Sequence, residues 1–153
     1  MNFMDIALNE AENGRKIGEV PVGAVIVYEG KIIAKAHNLK ETLNDVTAHA
    51  EILAIREASE RLENWRLSKV EMYVTLEPCP MCASAITQAR IEKVYIGTFD
   101  PTAGACGSII NLAQSNRLNT FFDIEWCYDE RCSDILKDFF EKRRDERKKR
   151  VPR

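Results

Sequence analysis

The 153-residue sequence has no long apolar run, only two histidines and an odd number of cysteines. Its longest mostly apolar stretch, Val20 to Tyr28, spans nine residues, well short of the ~18 that cross a bilayer. No membrane association is expected. The opening residues Met1-Asn2-Phe3-Met4-Asp5 put no basic segment before an apolar one, which predicts no secretory signal and a cytoplasmic location. Five cysteines cannot all pair, and a chain of this size builds a core without disulfides. In such a chain cysteines serve as metal ligands, catalytic groups or small buried apolar residues. No period of ~20–50 residues recurs and no stretch is low in complexity, so repeat architectures are set aside.

Hydrophobic residues make up 45% and charged residues 30%, the balance of a globular rather than a disordered chain. The net charge of −2 hides an asymmetry. Residues 141–153 carry eight Lys or Arg against three Asp or Glu, while residues 1–140 carry 14 against 21. An acidic body with a basic end fits an anionic partner at one place, and nucleic acid is the obvious candidate. A solvated helix end whose cations face the helix C-terminus explains the same charges equally well.

Met4, Ala7, Leu8 and Ala11 lie on one helical face in a segment from Asn2 to Asn13, with Gly14 as its expected stop. Gly23–Val27 and Lys31–Ala34 are β-rich runs around Tyr28-Glu29-Gly30, a hairpin signal. A polar stretch, His37 to Asp45, precedes a helix from His49 to about Glu60 or Leu62. Val70–Leu76 alternates as a strand, Cys82, Ala85, Ile86 and Ala89 form a helical stripe, and Val94–Gly97 is a short strand. After a loop from Asp100 to Gly107 come a short apolar piece (Ile109–Leu112), a strand (Phe121–Trp126) and a helix from about Asp129 to Arg150. Ile135, Leu136, Phe139 and Phe140 share a face of that helix, and at least one of the two phenylalanines is expected in the core. The order predicts one α/β domain over 1–153, a sheet covered by helices on both faces, with a right-handed crossover between parallel strands at 70–97.

Two short motifs carry the chemistry: His49-Ala50-Glu51 and Pro78-Cys79-Pro80-Met81-Cys82. Each falls at an expected helix start, where partial positive charge favours thiolates. One imidazole and two thiolates suit tetrahedral zinc, and three protein ligands leave a fourth position open, as a catalytic zinc requires. To close it, a donor would have to come from His37, Cys106, Cys127, Cys132 or a carboxylate. A thioredoxin-like role for the cysteine pair would leave His49 and Glu51 unexplained. Glu51, two residues from a ligand, suits a general base beside a zinc-activated water and then a proton donor to a heteroaromatic nitrogen and a leaving amine. Alone, it would read as a first-turn glutamate stabilising the helix dipole.

The H-x-E and P-C-x-x-C pair resembles the zinc-dependent nucleoside and nucleobase deaminase signature. Gly18–Val25, Thr47–Ile52, Thr75–Cys82, the loop Asp100–Ser108 and Asp138–Arg144 resemble the bacterial tRNA-specific adenosine deaminase family, so the likeness covers nearly the whole chain. It implies a three-layer α/β/α cytidine-deaminase-like fold with a mixed five-stranded central sheet, and a hydrolase working as a homodimer. The implied activity is conversion of adenosine to inosine at the wobble position of a tRNA anticodon stem-loop. By position, His49, Cys79 and Cys82 would bind one Zn2+ per subunit and Glu51 would shuttle protons. Asn38 would contact the target base, Val22 would line its pocket and Asp100 would lie close to the RNA backbone. Phe139 and the basic residues after it, Arg143 among them, would pack near the flipped nucleotide. The departures are Val46, where a proline often precedes Thr47, and Cys106, in place of a small residue.

The zinc motifs alone also admit a deaminase of a free base or nucleoside, of guanine or cytosine type. The basic end and the Asp100 loop favour RNA, since a small molecule needs neither. A non-catalytic zinc-bearing RNA-binding subunit would lack the proton shuttle, and Glu51 is present.

Overall fold

The N-terminal apolar stripe folds as helix α1 (Phe3–Lys16), capped by the Asn2 side chain, which accepts the Met4 N–H at 2.9 Å. The computed structural model describes residues 2–115 and 120–150. Met4, Ala7, Ala11 and Gly14 form the buried face of α1, so Gly14 is not the stop expected of it. A Cβ there would lie 3.3 Å from His37, and the helix ends instead before Gly18, whose φ is +87°.

Strands β1 (Gly23–Tyr28) and β2 (Lys31–His37) make the expected hairpin. Both turn residues, Glu29 (φ 50°) and Gly30 (φ 76°), are left-handed, as a tight two-residue connection requires. β2 runs past Ala34 because Gly23 still has a partner in His37. The polar stretch after it contains a four-residue helix, α2 (Lys40–Leu43), that no apolar periodicity announced.

Next come α3 (Ala50–Leu62), β3 (Val70–Leu76), α4 (Pro80–Gln88) and β4 (Lys93–Thr98), all close to expectation. The apolar piece at 109–112 is neither helix nor strand; the N–H groups of Ile109 and Ile110 donate to the Gly104 carbonyl. The segment read as one strand is broken. A short pair, β5 (Gln114–Ser115) and β6 (Thr120–Phe121), precedes β7 (Asp123–Trp126). Between β6 and β7 the buried Phe122 donates its N–H to Ala113. The chain ends its described course in α5 (Glu130–Arg150).

The five-stranded sheet has the order β2-β1-β3-β4-β7, antiparallel at β2/β1 and β1/β3 and parallel at β3/β4 and β4/β7. α1 and α5 cover one face and α3 the other, with α4 packed against α3. Alternation divides each strand between two cores. Ala24, Ile26, Met72, Val74, Val94 and Ile96 join α3 and α4, while Val25, Val27, Tyr73 and Tyr95 join α1. Burial on both faces explains why β1 reads as one apolar run. Gly23 lets α1 lie directly on the sheet, since a Cβ there would collide with the Ala7 carbonyl.

Neither phenylalanine of α5 is in the core. Phe139 is half-buried and Phe140 is 40% exposed, because the contacts of α5 with the sheet run through Cys132 and Leu136 and end there. Among the described residues no helix is long and apolar enough to cross a membrane. Ile96→Ala in the core should destabilise the fold by about 2–5 kcal/mol, whereas Phe140→Ala should stay within about 1 kcal/mol in urea denaturation.

Candidate active site

The two motifs meet because two helices begin at the same end of the sheet. His49 is the N-cap of α3 and Cys79 the N-cap of α4, so both enter from extended backbone at the point where a helix presents its free N–H groups. Pro80 occupies the first turn of α4, where its missing donor is harmless. Asn38 fixes the start of α3 from the end of β2. Its Oδ1 accepts the Ala50 N–H at 2.8 Å, its Nδ2 donates to the Val20 carbonyl at 3.1 Å, and its own N–H donates to the Val22 carbonyl. The residue read as a base contact therefore also ties His49 and Glu51 to the entry of β1.

The sulfurs of Cys79 and Cys82 lie 3.7 and 3.6 Å from His49 Nδ1. The three donor atoms all fall within 4.8 Å of one another. A tetrahedral zinc with ordinary bond lengths has nitrogen–sulfur edges of about 3.6 Å, which both nitrogen–sulfur spacings match. The other residues considered as a fourth ligand stand apart from this group. His37 pairs with Glu10 at 3.2 Å, Cys132 packs in the α1 core, Cys127 is exposed, and Cys106 is buried beside Glu77.

Glu51, in the first turn of α3, is only 4% exposed, and burial pushes its carboxyl up to about 7. Hydrogen bonding from Cys82 and then from His49 brings the Cys79 thiol down to about 4, while the same contact and burial raise Cys82. The pair thus holds one thiolate readily even before a cation is present. A carboxyl raised by burial in this way is suited to both accepting and giving a proton.

The remaining expected contacts divide. Val22 is buried, with its carbonyl bonded to Asn38, so it lies beside the site as core. Asp100 uses its own carboxylate to cap the turn at Thr102 and Ala103 and lines a cavity of about 640 Å³ with Phe99, Leu136, Phe140 and Arg144. Phe139 and Arg143 are turned towards the end of α1. The Arg143 guanidinium lies 4.8 Å from the Phe139 ring and reaches the Gly18 carbonyl at 3.4 Å.

Sequence reasoning passed over two buried carboxylates. Glu19 accepts the N–H groups of Glu41 and Thr42 and the Thr42 hydroxyl, holding α2 in place. Burial pushes its carboxyl up, but the Thr42 and Glu41 bonds outweigh it and leave it below the usual range. Glu77 plays the same part for the Asp100 loop. The available signal was an acidic residue next to or near a proline within otherwise apolar sequence, at Glu19-Val20-Pro21 and Glu77-Pro78.

Residues 1–98 match the family model for the cytidine and deoxycytidylate deaminase zinc-binding region. The chain belongs to that deaminase family. A tRNA-specific adenosine deaminase of Bacillus subtilis is 46% identical over 95% of this chain and 91% of its own length. A solved tRNA:A34 deaminase, from work on A-to-I editing at the wobble position, superposes with a TM-score of 0.85 at 44% identity, covering 88% of this chain and 98% of that one. A guanine deaminase of the same Bacillus species is 42% identical, with a TM-score of 0.62 over 65% of this chain and 66% of its own. The mixed five-stranded sheet flanked by helices is thus the cytidine-deaminase-like fold.

For this deaminase, Cys79→Ala and His49→Ala should each lose the zinc retained through dialysis, measured by elemental analysis. Cys106→Ala should keep about one zinc per chain.

Proposed function

We propose that this chain hydrolyses adenosine to inosine at the wobble position of tRNA, releasing ammonia. The observation that carries deamination is the set of three donors, His49, Cys79 and Cys82, at two helix starts with the buried carboxyl of Glu51 beside them. The tRNA substrate is supported by the names of the relatives, which resemble this chain over nearly its full length.

In this reading His49, Cys79 and Cys82 would hold zinc, which when bound would supply an activated water for attack on C6 of the purine. Glu51 accepts the proton that the attacking water gives up and delivers one to N1. It then takes the proton of the new C6 hydroxyl and passes it to the departing amino group, so the C6–N bond breaks, ammonia leaves, the C6 carbonyl forms and the carboxylate is restored. Asn38 keeps one Nδ2 hydrogen beyond its bond to Val20 and offers it to the base, with Val22 behind it as the wall of the pocket. Asp100 stands at the RNA backbone.

Chemistry on a base requires the base to leave its stack, and an anticodon loop is already unpaired there. The flanking phosphates need cations, which α5 offers at Lys142, Arg143, Arg144, Arg147 and beyond, with Phe139 beneath Arg143. Two copies pair through the α3–α4 face, where Trp65 is 58% exposed near Ile52, Ile55 and Met81. The cytoplasm, where tRNA is decoded, is the site of action.

The similarity to a guanine deaminase gives a second reading, a free purine as substrate. A free purine carries no phosphate and makes no use of the basic helix. Incubation with an A34 tRNA transcript and with guanine separates the two: inosine at one position and ammonia are expected from tRNA, and turnover of guanine alone would reject the tRNA assignment. Glu51→Gln should keep its zinc and lose at least about a hundredfold in kcat. Replacing Arg144 and Arg147 with Ala should weaken tRNA binding and reduce the salt slope by about one for each phosphate left without its cation.

A further inference from the structure

Glu77 lies between the end of β3 and Pro78-Cys79 and is only 2% exposed. Its Oε1 accepts the Asp100 N–H at 2.9 Å and the Ser108 hydroxyl, and its Oε2 accepts the N–H groups of Cys106 at 2.9 Å and Ser108 at 3.2 Å. Main-chain bonds flank this cluster: Glu77 donates to the Thr98 carbonyl and Ala105 to the Pro78 carbonyl, both at 2.9 Å. Gly104 comes so close that a Cβ on it would collide with the Glu77 carboxylate. Its φ is not left-handed, so that collision, and not backbone strain, is what an alanine would meet there.

A buried carboxylate is tolerated only when its lone pairs are filled, and those of Glu77 are filled by both ends of the 100–108 loop. The same residue is joined through Pro78 to the first cysteine of the metal group. We propose that Glu77 is a positioning residue for substrate: its carboxylate locks the 100–108 loop to the Cys79 turn. A nucleotide held by that loop then stands at a set place relative to Glu51. The inference rests on the reading that this loop lies against RNA.

Glutamine at this position has nearly the same shape but replaces one acceptor with an NH2 group. Ser108 Oγ can reverse its role and accept from that group, yet at least one loop N–H is left facing another donor. Glu77→Gln therefore loosens the loop while leaving the three metal donors intact. Gly104→Ala reaches the same carboxylate from the loop side.

The test uses the zinc-loaded full chain with an A34 anticodon stem-loop, alongside amide hydrogen exchange of Asp100, Cys106 and Ser108. In Glu77→Gln and in Gly104→Ala, exchange at these amides should quicken and KM should rise, each by about tenfold, with kcat within about threefold and zinc content unchanged. The double variant should be no worse than either single one, because both act on one carboxylate. Unchanged exchange, loss of zinc, or a defect carried by kcat would overturn the proposal, as would full additivity. Should Glu77→Gln not fold, Gly104→Ala and Ser108→Ala are read by the same criteria. A wild-type chain inactive on the stem-loop would instead reject the substrate reading, and the exchange rates would still decide whether the carboxylate holds the loop.

Discussion

Everything at the site depends on two helices beginning at one end of the sheet, each with a side chain that could hold a metal as its N-cap. A helix start is a place of unpaired N–H groups and partial positive charge, and it favours the thiolate form of Cys79. The strand order makes the two starts neighbours. β1 runs antiparallel to β3, so the beginning of β1, the end of β2 and the end of β3 share one edge of the molecule. Asn38 converts that proximity into a fixed distance by bonding Val20 and Ala50 at once.

Three buried glutamates surround this arrangement, and their environments divide their work. Glu19 is supplied with backbone and hydroxyl donors from α2, which outweigh its burial and favour the charged form. Glu77 is likewise supplied by the loop after β4. Glu51 is governed by burial instead, and its carboxyl moves to where proton exchange near neutrality is easy. The same side chain is thus suited to a structural tie or to carrying a proton according to how many donors face it.

The basic helix is built on a different principle. Its attachment to the sheet is made early, where Cys132 fills the space that Gly97 leaves open. Beyond Leu136 apolar contact with the core ends and charge dominates. Phe139 is covered by Arg143 and not by the core, which leaves an aromatic and cationic surface along the exposed part of α5. Such a surface suits a ligand that combines flat rings with phosphates.

What could be read from residues alone was short in range. The hairpin follows from Glu29-Gly30, β3 from its alternation, and the starts of α3 and α4 from their local pattern, because each is decided within a few residues. The metal donors were legible for the same reason: His49 with Glu51, and Cys79 with Cys82, each form a complete local motif. Tertiary contacts decided the rest. Gly14 continues its helix because it faces His37, and Phe122 breaks a strand because it bonds Ala113. Glu77 is buried because donors some 23–31 residues away arrive to satisfy it. Burial and long-range hydrogen bonds depend on which distant segment becomes a neighbour, and only the folded sheet supplies that neighbour.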